Sequence, residues 1–229
     1  MLIDILTIFP EMFCAPFGGG LVRRARDKGL ITIEIHNIRD FALDAHRKVD
    51  DYPFGGGPGM VLKPEPIARA LRSLKRGREE PKRVIFLTPQ GELFTQSMAN
   101  RLSLEKHLVF ICGHYKGIDE RIREKYVTDE ISIGDYVLSG GELAAMVVID
   151  AVVRLMPGVL NDSQSALDDS FQDGLLDCPW YTRPRVFEGM EVPEILFSGD
   201  HRKIEEWRRA KSLERTRRRR PDLISGDDL

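Results

Sequence analysis

Between Leu108 and Glu142 the chain reads LVFICGHYKGIDERIREKYVTDEISIGDYVLSGGE, and this stretch narrows the fold more than any other. Two apolar runs, Val109-Phe110-Ile111-Cys112 and Ile131-Ser132-Ile133, each stop at a glycine-bearing turn. A charged segment from Asp119 to Tyr126 with helical character separates them. A third turn, Ser139-Gly140-Gly141, opens an apolar helix from Glu142 to Leu155. Upstream, Val84 to Thr88 is another central-strand run, stopped by Pro89-Gln90-Gly91, with Thr95 placed to cap a helix through Leu102. Strands alternating with helices predict βαβ units and a mainly parallel sheet. Ligands of such sheets sit at the carboxyl ends of the strands. Those ends are Pro89-Gln90-Gly91, Gly113-His114-Tyr115 and Gly134-Asp135-Tyr136. Turns with so little side chain let a ligand approach backbone N–H and C=O groups, so a small-molecule pocket built from backbone is expected.

The rest of the chain extends this α/β pattern. Leu2 to Phe9 reads as a buried strand ended by Pro10. Leu21 to Lys28 reads as a short helix with Gly29 as its C′ residue. Ile31, Ile33 and Ile35 alternate with polar residues, as in a half-buried strand. Arg39 to Gly59 has no period and is rich in glycine, and a loop of that length inside a compact domain tends to be functional or disordered. Met60 to Leu62 returns to strand. Pro66 to Leu74 has one apolar helical face, and Lys75 to Lys82 is a charged loop. The segment Asn161 to Asp169 is polar and aperiodic, as expected of a linker. Phe171 to Phe197 is rich in Pro and aromatics without a clear helix. Asp200 then caps a helix through about Thr216, with Ile204, Trp207 and Ala210 inward.

Charge points to a partner. The net charge is only −2, yet His201 to Pro221 holds ten Lys/Arg against three Glu, a local +7. Such an end suggests a polyanion, RNA or DNA ahead of membrane. No apolar run reaches the roughly 18–20 residues that span a bilayer. The opening MLIDILTIFPEMF lacks a basic region and carries Asp4, unlike a signal peptide. Three scattered cysteines, Cys14, Cys112 and Cys178, suit a reducing cytoplasm rather than a disulfide framework.

Common cofactor signatures are missing. Gly55-Gly56-Gly57-Pro58-Gly59 is neither G-x-G-x-x-G nor a P-loop, and there is no GxSxG elbow. The five histidines show no zinc spacing. The glycine loop follows Asp50, Asp51, Tyr52 and Phe54. Charge and aromatics beside bare backbone suit a flipped base or a phosphate. Arg154, at the end of the apolar helix, has two readings: a solvated C-terminal cation, or a donor to a base edge or developing oxyanion. By composition alone Asp168-Asp169-Ser170 is only linker polarity.

Taken in order, several segments resemble the bacterial tRNA (guanine-N1)-methyltransferase family that modifies guanosine 37. They are Asp4-Ile5-Leu6-Thr7-Ile8-Phe9-Pro10-Glu11-Met12-Phe13, Arg39-Asp40-Phe41, Asp50-Asp51 through Gly59-Met60-Val61, Gly113-His114-Tyr115 through Gly117-Ile118-Asp119-Glu120-Arg121, Ser132 through Glu142, Asp169-Ser170-Phe171, and Leu175-Leu176-Asp177-Cys178-Pro179 through Tyr181-Thr182-Arg183-Pro184.

The resemblance implies a SPOUT-class enzyme: an α/β domain with a mainly parallel sheet and a deep trefoil knot, over 1–160. A linker at 161–170 would join it to a small, mostly helical, tRNA-binding domain over 171–229. It implies a cytoplasmic homodimer with its active site at the interface, using S-adenosyl-L-methionine. The cofactor residues carried over are Phe86, Leu87, Thr88, Pro89, Gly113, Tyr115, Ile133, Gly134, Asp135, Tyr136, Val137, Leu138, Gly140 and Gly141. Asp169 would be the general base, with Arg154 its partner at the guanine. The tRNA-binding set is Asp50, Gly55, Gly56, Gly57 and Gly59 with Arg217, Arg218 and Arg219. The position after Tyr115 is often acidic in this family and here is Lys116. Magnesium, linked to the family, is therefore given no residue. Two rival readings are a SPOUT ribose 2′-O-methyltransferase, for which Asp169 would have no purpose as a base, and a non-catalytic RNA-binding adaptor using the basic C-terminal helix.

Overall fold

The computed structural model describes residues 1–74, 83–160 and 169–224. The charged loop expected over 75–82, and residues 161–168 of the expected linker, lie outside the described residues. The chain divides into two units, Met1–Asn161 and Asp162–Leu229.

The first unit carries strands β1 (Leu2–Thr7), β2 (Thr32–Asn37), β3 (Asp50–Asp51), β4 (Val61–Leu62), β5 (Arg83–Leu93), β6 (His107–Cys112) and β7 (Asp129–Ser132). Five of them form one sheet in the order β2-β1-β6-β5-β7, every pair parallel. The strands are almost continuously apolar because both faces are covered. On one face Ile3, Ile5, Ile85, Leu87, Leu108 and Phe110 pack against helices α1 (Cys14–Phe17), α2 (Gly20–Asp27), α4 (Gln96–Ser103) and α6 (Glu142–Val153). The alternate residues Leu6, Val84, Phe86, Val109 and Ile111 meet α3 (Pro64–Leu74) and α5 (Glu120–Tyr126) on the other.

Local chemistry sets the element ends. Helix α2 stops in a Schellman arrangement: Gly29 at φ +68° donates to the Arg26 carbonyl, and Leu30 N–H reaches back to Ala25 O. The Thr95 hydroxyl accepts from Met98 N–H at the start of α4. One buried charge belongs to the sheet itself. Asp4 is fully buried, with His36 Nε2 and His107 Nε2 each 2.6 Å from its two carboxylate oxygens. Burial pushes that carboxyl up, but the bonds to His36 and then His107 hold it below its usual value. Asp4, Glu34 and His36 bring ligand-type atoms within 4.8 Å of one another, and both Asp4 oxygens already have an imidazole partner.

One sequence expectation is corrected here. Strand β5 does not end at Pro89-Gln90-Gly91. It resumes with Glu92, because Ile131 of β7 pairs first with Leu87 and again with Glu92. Thr88 to Gly91 is thus an excursion within one strand, a place where Pro is tolerated because no ladder hydrogen bond is lost. Helix α6 is buried on most faces, as its nearly all-round apolar sequence implies. Ala145, Val148, Ile149, Val152 and Val153 are fully buried, whereas Leu143 and Val147 are 48% and 50% exposed.

The second unit contains a two-residue hairpin, β8 (Val186–Phe187) with β9 (Met190–Glu191), and one long helix, α7 (His201–Arg219). Asp200 caps α7 by accepting from Lys203 N–H. The helix runs past the expected end at Thr216. Ile204 and Trp207 are half-buried as expected, but Ala210 is exposed. The inner face is set instead by Thr216, whose buried hydroxyl accepts from Leu176 N–H at 2.9 Å and donates to Ser212 O at 2.7 Å.

Candidate active site

A cavity of about 430 Å³ opens at the carboxyl ends of β5, β6 and β7. Its walls come from three chain segments: the β5 excursion (Thr88, Pro89, Gln90), the turn after β6 (Gly113 to Ile118), and the loop from Ser132 to Gly141 that leads into α6. Strand-end geometry explains this, since parallel strands deliver their following turns to one edge.

The glycines hold these segments closer than side chains allow. A Cβ on Gly113 would stand 2.8 Å from the Phe86 ring, and one on Gly141 would stand 2.9 Å from Cys112 Cα. Gly141 N–H donates to Gly113 O at 2.9 Å, and His114 bridges to Gly140. Beneath them Glu142 is 1% exposed at the start of α6. Its carboxylate accepts the Thr7 hydroxyl at 2.6 Å and lies 3.1 Å from His114 Nε2. Phe9 N–H in turn donates to the Thr7 oxygen. Burial raises the adjoining Cys112 thiol well above its ordinary value, and the charge on Glu142 adds to that. Cys112 is therefore a neutral core residue behind the glycine turns, not a nucleophile.

Of the residues expected at the cofactor site, Phe86, Leu87, Thr88, Pro89, Gly113, Tyr115, Ile133, Gly134, Tyr136, Val137, Leu138, Gly140 and Gly141 line the cavity together. Asp135 does not. Gly134 (φ +147°) begins a tight turn that Tyr136 N–H closes on Gly134 O at 2.9 Å. The middle residue is left at the exposed apex. Gln90, His114, Lys116 and Arg123 also line the wall. The strand-end rule marked Gln90 and His114, and Lys116 stood out as the departure from the family pattern, but sequence reasoning passed over Arg123. For Arg123 the signal was Glu120 three residues earlier: Arg123 binds Glu120 at 3.1 Å and Glu130 at 2.6 Å, with its guanidinium 5.7 Å over the Phe86 ring.

The long loop before β4 is fastened to the cavity wall. Lys116 N–H donates to Met60 O, Leu62 N–H to Gly117 O, and Asp119 N–H to Leu62 O, each at 3.0 Å. Tyr115, at φ +62°, has its phenol pushed up by burial and by its bond to Asp50. Gly55, Gly56, Gly57 and Gly59 all adopt positive φ. No neighbouring atom lies within 4 Å of a Cβ added at the first three, so those are bare, open backbone.

Arg154 is the C-cap of α6 in the first unit. Asp169 lies in the second unit, half-buried in a turn. There Phe171 N–H donates to Leu175 O at 2.7 Å and Asp177 N–H to Ser170 Oγ at 2.9 Å. Asp169 also lines a small cavity of about 140 Å³ with Asp173, Asp177, Arg208 and Arg209. The Arg208 guanidinium stacks 4.5 Å over Trp180. Arg217, Arg218 and Arg219 are exposed on the last turn of α7. Arg220, the next in the run, is committed to Asp222 at 2.7 Å.

The whole chain matches known proteins. The family model for tRNA (Guanine-1)-methyltransferase TrmD matches residues 1–226. A tRNA (guanine-N(1)-)-methyltransferase of Anoxybacillus flavithermus is 57% identical over 229 residues, all of this chain and 94% of its own length. Those of Bacillus cereus and Dictyoglomus turgidum are 55% and 56% identical, across 100% and 99% of this chain and 94% and 91% of their own.

Proposed function

The chain belongs to the tRNA (guanine-1)-methyltransferase family, and we propose that its methyl donor is S-adenosylmethionine, bound in the cavity at the ends of β5, β6 and β7. The activity is methylation of a tRNA guanine at N1, with guanosine 37 as the target. The observation that carries the donor site is the cavity itself: about 430 Å³, walled by three turns that glycines bring closer together than side chains allow, since their Cβ atoms would collide with Phe86 and Cys112. That volume suits a nucleoside-sized ligand.

Bound there, S-adenosylmethionine supplies a sulfonium-activated methyl group. The protein's tasks are orientation and proton transfer. Guanine N1 carries a proton at neutral pH and has no free lone pair, so it must lose that proton to become a nucleophile. The Asp169 carboxylate accepts it, and the Arg154 guanidinium donates to O6 as negative charge builds there. The cavity residues would hold the donor so that its methyl carbon faces N1, and the donor would supply that methyl with a neutral thioether as the leaving group.

Residues 1–160 form the donor-binding domain with the trefoil knot of the SPOUT class, 161–170 the joining segment and 171–229 the tRNA-binding domain. The enzyme works as a cytoplasmic homodimer. The half-exposed Leu143 and Val147, one turn apart on α6, support a partner surface there. Among the described residues no helix is long and apolar enough to cross a membrane.

Methyl transfer to unmodified tRNA, compared with the same tRNA carrying another base at position 37, tests the target. Incorporation should vanish with the replacement, and undiminished incorporation would move the target elsewhere. The open glycine loop with Asp50, and the exposed Arg217, Arg218 and Arg219, are the proposed tRNA contacts. Changing these three arginines to Gln, with Arg220 left on Asp222, should weaken tRNA binding about tenfold or more. It should also flatten the log–log salt slope by about 0.7–0.9 for each phosphate that is no longer neutralised. An unchanged slope would show that the run is only a solvated helix end.

A further inference from the structure

Lys116 is the cavity's uncompensated charge. Among the described residues no Asp or Glu lines the wall, and the fixed cations there are Lys116 and Arg123. Arg123 is neutralised by Glu120 and Glu130. Among the described residues the Lys116 ammonium has no ion-pair partner. Its stem is not loose, however. It lies along Gly59, where an added Cβ would meet Lys116 Cγ at 3.1 Å and Cε at 3.2 Å. Its own backbone is pinned by the bond from Lys116 N–H to Met60 O. Gly59, by lacking a side chain, thus leaves room for the aliphatic stem of a residue that lines the cavity.

From this geometry we infer that Lys116 binds the α-carboxylate of the donor's methionine portion and so selects for a ligand that carries it. The inference rests on the proposed reading of the cavity as the S-adenosylmethionine site. That ligand is cationic at sulfur and at its amino group. Its only anion is the carboxylate, and an uncompensated ammonium in the wall attracts that group and disfavours the other two. Arg123, the other cation in the wall, is held by Glu120 and Glu130, and the remaining wall offers backbone N–H groups and side chains without a fixed charge, so the ammonium provides the charge-assisted bond.

Equilibrium binding separates the possibilities. S-adenosylmethionine and its decarboxylated analogue, which lacks only the carboxylate, are titrated into the wild type, Lys116→Ala and Lys116→Arg. The wild type should bind the analogue about tenfold more weakly than S-adenosylmethionine. Lys116→Ala should weaken S-adenosylmethionine by about five- to tenfold and leave the analogue unchanged or tighter, closing the gap between the two. Lys116→Arg should keep most of the wild-type gap. Equal losses for both ligands, or no loss for either, would overturn the assignment. So would weakened tRNA binding with unaltered donor affinity, which would make Lys116 a phosphate contact. Failure of the wild type to bind either ligand would remove the cavity reading itself, an outcome distinct from a normal wild type with an indifferent Lys116 variant.

Discussion

Asp169→Ala should reduce single-turnover methyl transfer by about a thousandfold while donor affinity stays within about twofold of the wild type. The size follows from the chemistry: a positioned general base contributes roughly 10²–10⁴-fold. Guanine N1 has no lone pair until its proton leaves, so the upper part of that range applies. The melting curves of variant and wild type, compared, separate loss of the base from loss of the fold. The turn around Asp169 is closed by Phe171 N–H to Leu175 O and by Asp177 N–H to Ser170 Oγ, and neither bond uses the Asp169 carboxylate. Asp169→Asn keeps the shape and a hydrogen-bonding oxygen but is a far weaker base, so it should be nearly as inactive. If Asp169→Ala turned over at a tenth of the wild-type rate or better, the base would be another group. If it lost donor binding, Asp169 would be a structural residue of the donor site.

The sequence disclosed what local physics decides. The caps at Thr95 and Asp200 and the C′ glycine at Gly29 each act within a few residues, and all three stand where expected. The apolar run from Leu2 to Phe9 correctly implied a buried strand, with Ile3 and Ile5 packing on one face and Leu6 on the other. What stayed hidden depends on residues distant in sequence. Thr7 and Glu142 are 135 positions apart, so nothing near either residue announces that a buried carboxylate underlies the cavity. Asp135 came with its neighbours from the family resemblance. A turn closed between Gly134 and Tyr136 puts it at an exposed apex outside the cavity lining, and that closure is a conformational detail with no period to read. Ala210 was judged by its apolarity alone, whereas a hydroxyl at Thr216 that satisfies the Leu176 amide sets the inward face of α7. The role proposed for Asp169 was the least legible. Its polar neighbourhood looks like linker, and only the resemblance to a family marked it.

The excursion Thr88 to Gly91 shows the same limit, and it leads to the largest structural effect expected of a single methyl group. Gly91 does not adopt positive φ, so backbone freedom is not what requires glycine there. The requirement is space. An added Cβ would be driven into the Glu130 carbonyl carbon and the Ile131 amide nitrogen, and would stand 2.5 Å from Glu130 O. These are backbone atoms of β7 with no rotamer to change. The overlap can be relieved only by separating β5 from β7 at the point where Ile131 pairs with Glu92. Overpacking of this kind costs about 3 kcal/mol, the upper end of its usual range. In a chain of this size that corresponds to a melting temperature lower by roughly 6–12 °C. The same movement displaces Thr88, Pro89 and Gln90 from the cavity, so donor affinity should fall about tenfold or more even well below the melting point. Gly56→Ala is the internal comparison: it meets no atom within 4 Å, carries φ +77°, and should cost only about 1 kcal/mol of backbone strain with donor binding intact. A Gly91→Ala variant that melted with the wild type and bound the donor equally well would mean that the β5–β7 junction can open at no cost, and that the excursion is not what shapes the cavity.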